Sequence, residues 1–200
     1  HDDVIDVVLE EATADAQQMA AVQPLEAPYM RTGLLELARK RGIWLVILFF
    51  CSLSTAFTLQ HLEAELLPWM VAFVPLVISA GGNSGGQAAT LIITAIARGE
   101  LTLRDWSAVV AREIRMGLIL GGGLFLIGFV TMWLFPQVAG LGWMAMLVVP
   151  LTLNIIIIAG TLTGAVLPFI FSRLGWDPAI MSNPLVAGIM DVMGIVIYVK

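Results

Sequence analysis

WDPAIMSNPLVAGIMDVMGIVIYVK, Trp176 to Lys200, is apolar through to Tyr198 apart from one carboxylate in its second half, Asp191. Asp177 and Pro178 have the character of an N-cap and a first helical residue, which predicts a helix over 178–199, enough for one membrane crossing. A charge near the bilayer centre costs about 2.5–3.5 kcal/mol on insertion scales. Asp191 is therefore expected to face protein, water or a cation. Asn183, Ala187 and Asp191 are spaced i, i+4, i+8 and share one helical face. Pro184 removes one backbone N–H and leaves the carbonyl of Ile180 without its usual partner. Oxygen donors with few charges suit a hard divalent cation such as Mg²⁺, which is often held through its water. The alternative is an Asp191 that bonds a Thr or Asn on a neighbouring helix.

The whole composition agrees with this stretch. Hydrophobic residues make up 59% of the 200 and charged residues 12%, with a mean hydropathy of +0.93. That excludes a soluble domain with an ordinary charged surface and predicts an all-α integral membrane protein. The net charge of −5 is carried largely by acids at the N-terminus and in one short loop, and no basic patch for nucleic acid is present. Cys51 is the single cysteine, so an intrachain disulfide or a cysteine metal centre is excluded. No basic-then-apolar leader precedes the first apolar run, so no signal peptide is expected, and His1 in place of Met suggests that upstream sequence is missing.

Residues 1–27 are acidic around Val4, Ile5, Val8 and Leu9, the spacing of an amphipathic helix. Pro24 and Pro28 mark a linker, and a short amphipathic segment from Arg31 to Arg41 precedes the first apolar run. Five membrane spans are expected, at about 42–60, 68–97, 113–135, 143–171 and 178–199. The second and fourth are over-long and carry Pro and Gly, which predicts interruptions: Pro75 and Gly81 to Gly86 in one, Pro150, Gly160, Gly164 and Pro168 in the other. The run Gly81 to Gln87 is too rich in Gly and amides for packing alone and is expected to meet a hydrated ion or bend at a pore. Gly82, Asn83, Gln87, Thr94 and Pro184 are the candidate pore-lining residues. Arginines before span one and after spans two and four place the N-terminus in the cytoplasm and the C-terminus outside. Glu63 and Glu65, with His61 beside them as a solvated residue, are then expected to form an acidic outer mouth that concentrates cations before entry.

These residues resemble the MgtE family of magnesium channels and transporters. The resemblance rests on Gly-Gly-Asn-x-Gly-x-Gln within Pro75 to Gln87 followed by Ala89 to Ile93, and on Leu174-Gly175-x-Asp177-Pro178-Ala179, Ser182 to Ala187 and Asp191-Val192-x-Gly194. It implies a homodimer of five-helix subunits in the cell's inner membrane around one pore that conducts Mg²⁺ passively. It also implies a hydrated Mg²⁺ held by Asp191, with main-chain oxygens at Asn183 and Ala187. Residues 1–40 would be the tail of a CBS regulatory region and a connecting plug helix, residues 41–200 the pore domain, and the upstream N-terminal and CBS regulatory domains would be absent.

Other readings make different demands. A broader Mn²⁺ or Co²⁺ transporter would use the same acid. A secondary anion carrier would use a broken helix at Gly81 to Gln87 and a basic residue inside the membrane, and none of the ten Lys and Arg lies mid-span. An intramembrane enzyme would need a second catalytic group near Asp191, and neither His is mid-span. The chain is accordingly not expected to be an enzyme.

Overall fold

The computed structural model describes residues 2–25, 28–178 and 183–200, and no strand occurs among them. The acidic amphipathic segment forms α1 (Asp2–Met19). A turn follows in which the Pro28 carbonyl accepts from the amides of Arg31 and Thr32, and Gly33 takes an extended conformation before α2 (Leu34–Leu62). A 3-10 turn (Glu63–Glu65) and the short α3 (Pro68–Val71) lead to α4 (Val74–Ala97). α5 (Trp106–Leu134), the short α6 (Pro136–Ala139), α7 (Trp143–Arg173) and α8 (Asn183–Val199) complete the bundle.

Among the described residues three segments are long and apolar enough to cross a bilayer: Leu34–Glu65, Trp106–Leu134 and Trp143–Arg173. At 1.5 Å per residue, the 29 residues of α2 extend about 43 Å, more than the roughly 30 Å hydrocarbon core. The surplus is the Leu34 to Arg41 segment, which is the opening of α2 and not a helix of its own. The expected N-cap at Asp177 leads into residues 179–182, which lie outside the described residues, as do Ile180 and its carbonyl.

The helices pack in the order α5, α7, α4, α8, α2, with α7 also reaching α8. Small residues set the spacing. A Cβ on Gly121 of α5 would lie 3.0 Å from the Asn154 carbonyl oxygen of α7, and one on Gly164 of α7 would run into the Gly85 carbonyl of α4. A Cβ on Gly82 of α4 would lie 3.1 Å from the Ala187 Cβ of α8. Around these contacts Val77, Ile156, Val186 and Met190 form a dry core, and the Ser84 hydroxyl donates to the Ile157 carbonyl, 3.1 Å away, joining α4 to α7. Thr161 likewise joins α7 to α5 through the Glu113 carbonyl at 3.3 Å.

Two sequence expectations are corrected here. The Gly81 to Gln87 run does not bend: α4 is continuous through it, because its glycines are seats for the neighbouring helices and leave the backbone hydrogen bonds intact. The interruption falls earlier, at Ala72–Phe73, where α3 ends and α4 begins with Pro75 in its first turn, a position that needs no N–H. Nor is the fourth apolar stretch broken. α7 runs 31 residues through both Pro150 and Pro168, a tolerance expected where packed neighbours surround the helix.

One end of the bundle gathers α3, α6 and the C-terminus. Phe73 and Phe135 meet edge to face at 5.4 Å, and the Tyr198 hydroxyl donates to the Met70 carbonyl at 3.1 Å. Lys200 Nζ donates to both oxygens of Glu65, at 2.6 and 2.8 Å. The acidic mouth expected from Glu63 and Glu65 is therefore half neutralised. At the opposite end Lys40, only 6% exposed, donates to the Pro24 carbonyl at 2.5 Å and pairs with Glu36 at 3.5 Å. That ties the segment around Pro24 to α2.

Candidate functional site

α4 and α8 enclose a groove of about 500 Å³. From α8 it receives Asn183, Pro184, Ala187 and Asp191, and from α4 Gly82, Asn83, Gly86, Gln87, Thr90 and Ser79. The α8 residues are there because the i, i+4, i+8 spacing puts them on one side of a helix. The α4 residues are there because Gly82 and Gly86 let the two backbones approach, which leaves Asn83 and Gln87 to flank the seam.

Seven of the eight residues expected at the ion path thus line one groove: Asp191, Asn183, Ala187, Gly82, Asn83, Gln87 and Pro184. Among the described residues Thr94 does not join them. It lies one turn beyond Thr90, and its hydroxyl is spent on the Thr90 carbonyl at 2.8 Å.

Asp191 is half-buried and, among the described residues, makes no hydrogen bond or ion pair. The alternative of a carboxylate bonded to a neighbouring Thr or Asn is not what the fold provides. Asn183 is held instead: Thr90 Oγ1 lies 3.1 Å from its Oδ1 and 2.9 Å from the Gly86 carbonyl. Asn83 Nδ2 donates to Ser79 Oγ at 3.2 Å. No basic side chain lines the groove. Among the described residues no three His, Cys, Asp or Glu side chains converge as a metal cage would require. One carboxylate among amides, hydroxyls and backbone can attract a cation and hydrogen-bond its water, but it cannot strip that water away.

Ser79 and Thr90 were not among the sequence candidates for this groove. Thr90 stands i+3 from Gln87 and i+4 from Gly86, so its helical face was readable, but its partner across the seam was not.

Long apolar helices around a polar groove with a lone acid define a multi-pass membrane protein of the transporter class. The family described as a divalent cation transporter, MgtE, matches residues 74–200, and the chain belongs to that family. Among curated relatives, the "Magnesium transporter MgtE" of Thermus thermophilus is 41% identical over 205 residues, covering 100% of this chain and 44% of the relative. The protein of the same name from Bacillus subtilis is 30% identical, covering 98% of this chain and 43% of the relative. The chain spans less than half the length of either.

Proposed function

We propose that the chain is the pore-forming part of a Mg²⁺ transporter that lets hydrated Mg²⁺ pass down its electrochemical gradient. Asp191 is the central site, with Asn183 and Ala187 offering oxygens to the ion's water. The observation that carries this reading is a half-buried carboxylate that has no partner among the described residues, in a groove to which none of them brings a basic side chain. Volume supports it too. Six waters occupy about 180 Å³ at about 30 Å³ each, so a groove of about 500 Å³ has room for the ion with its shell complete.

On this reading α2, α3 with α4, α5, α7 and α8 are five crossings, with the N-terminus in the cytoplasm and the C-terminus outside. Two copies face each other across their α4–α8 grooves, so that two Asp191 carboxylates match one divalent charge, and their repulsion in an empty pore favours occupancy. Residues 1–40 are the cytoplasmic connector from regulatory domains upstream. The anion-carrier alternative loses its premise, because the unbroken α4 offers no half-helix N-terminus at Gly81 to Gln87. A grip exerted through water is undemanding, and Mn²⁺ or Co²⁺ competes for the same place.

Mg²⁺ uptake into proteoliposomes under an imposed Mg²⁺ gradient tests the proposal. Asp191→Asn is expected to abolish uptake with the fold intact, and uptake at the unaltered rate overturns the assignment.

A further inference from the structure

α5 and α7 leave a second opening at the arginine-bearing end of the bundle, which shares no residue with the groove around Asp191. It measures about 440 Å³ and is lined by Leu103, Trp106 and Val110 on one side and Val166, Phe169 and Arg173 on the other. Among the described residues Arg173 is the one charged residue in that lining. It is exposed and, among the described residues, makes no ion pair or hydrogen bond. Leu103 and Trp106 remain 48% and 56% exposed, although Leu103 sits in a loop beside the charged Arg98, Glu100, Arg104 and Asp105. An apolar slot at this level that ends in an unpaired guanidinium calls for an amphiphile with a single anionic head.

Neighbouring surfaces do not share this character. The opening between α4 and α5 around the same loop is lined by Glu100, Asp105 and Glu113 as well as Arg112, and would repel an anion. α5 is also the outermost helix of the packing order, at the far edge from α8 and α2. The slot shares no residue with the α4–α8 groove where a second copy is proposed to dock.

We propose that this slot holds an anionic phospholipid, with an acyl chain along Val110, Val166 and Phe169 and the phosphate on Arg173. Arginine presents a fork of donors that matches phosphate oxygens. A Trp at the interfacial level and a basic pocket between membrane helices are the expected surroundings of such a headgroup. The proposal rests on reading α5 and α7 as membrane crossings, but not on ion passage past Asp191.

Native mass spectrometry of the whole chain in detergent, titrated with phosphatidylglycerol and with phosphatidylcholine of the same chains, provides the test. The unaltered protein should bind phosphatidylglycerol about fivefold more tightly, the contribution of one basic residue near a membrane surface, and Arg173→Gln should erase that preference. Val110→Trp fills the slot and should lose the tightly held lipid at an unchanged melting temperature. Equal affinity for the two lipids, a preference that survives Arg173→Gln, or full occupancy in Val110→Trp would each overturn the proposal. So would displacement of the lipid by inorganic phosphate at comparable affinity, since the site would then be one for a free anion. Asp191→Asn should keep the lipid preference, so that failure of the ion path and failure of the lipid site are read from different variants.

Discussion

Thr90 and Asn183 meet across the α4–α8 seam at 3.1 Å, and a hydroxyl in that position can be removed with little effect on the fold. Interhelical polar contacts in membranes are worth about 0.6 kcal/mol on average. Thr90→Val should therefore shift the melting temperature little, while a freed Asn183 amide should lower Mg²⁺ affinity severalfold. Isothermal titration measures this, and unaltered affinity would show that Asn183 needs no such support. At this scale the sequence was informative along α8 and blind across the seam. Asn183, Pro184, Ala187 and Asp191 share a face by helical arithmetic, and a lone acid in an apolar run announces itself by its insertion cost. The pairing of Thr90 with Asn183 depends on how far α4 slides along α8. Likewise Thr94 lies one turn beyond Thr90, past the point where the described part of α8 begins at Asn183.

Glycine does two different things in these helices, and substitution separates them. Gly164 faces the Gly85 carbonyl, whereas a Cβ on Gly122 would meet nothing within 4 Å. Gly164→Ala must push α7 off α4 and should cost about 1–3 kcal/mol, the range for overpacking. Gly122→Ala should be neutral or stabilising by up to about 1 kcal/mol through helix propensity alone. Thermal unfolding in detergent distinguishes the two, and equal effects would mean that the α4–α7 contact adapts easily. Composition and apolar run length revealed the long helices, since their hydropathy is uniform. The position of the interruptions was not legible, because Pro and Gly also occur where a helix is tightly packed. Pro150 and Pro168 lie within an unbroken α7, while the actual break at Ala72–Phe73 carries no residue that marks it except Pro75 two positions on.

Across the whole molecule, α1 approaches the loop after α7. Burial first, then the charges of Asp177 and Glu11, push the Asp15 carboxyl above its ordinary 3.8. The docked state thus holds this proton more tightly than the free helix does. Its contribution to docking is complete below the ordinary value and is lost as pH rises through the raised one. Spin labels on α1 and on the 174–178 loop should report a growing docked population on acidification from neutral pH, and Asp15→Asn should flatten the dependence. A dependence that persists in that variant would assign it to another group. The unbroken course of α2 has a mechanical consequence. Fastened to the Pro24 segment at Lys40, the helix bears on α8 where a Cβ on Gly188 would lie 2.9 Å from the Cys51 Cβ. Gly188 and Asp191 are three residues apart, about one turn. Gly188→Ala should accordingly alter the uptake rate while leaving Mg²⁺ affinity in place. α2 thus joins the segment around Pro24 at one end to the turn of α8 before Asp191 at the other, and on the proposed function a displacement of α2 reaches the carboxylate through that α2–α8 contact.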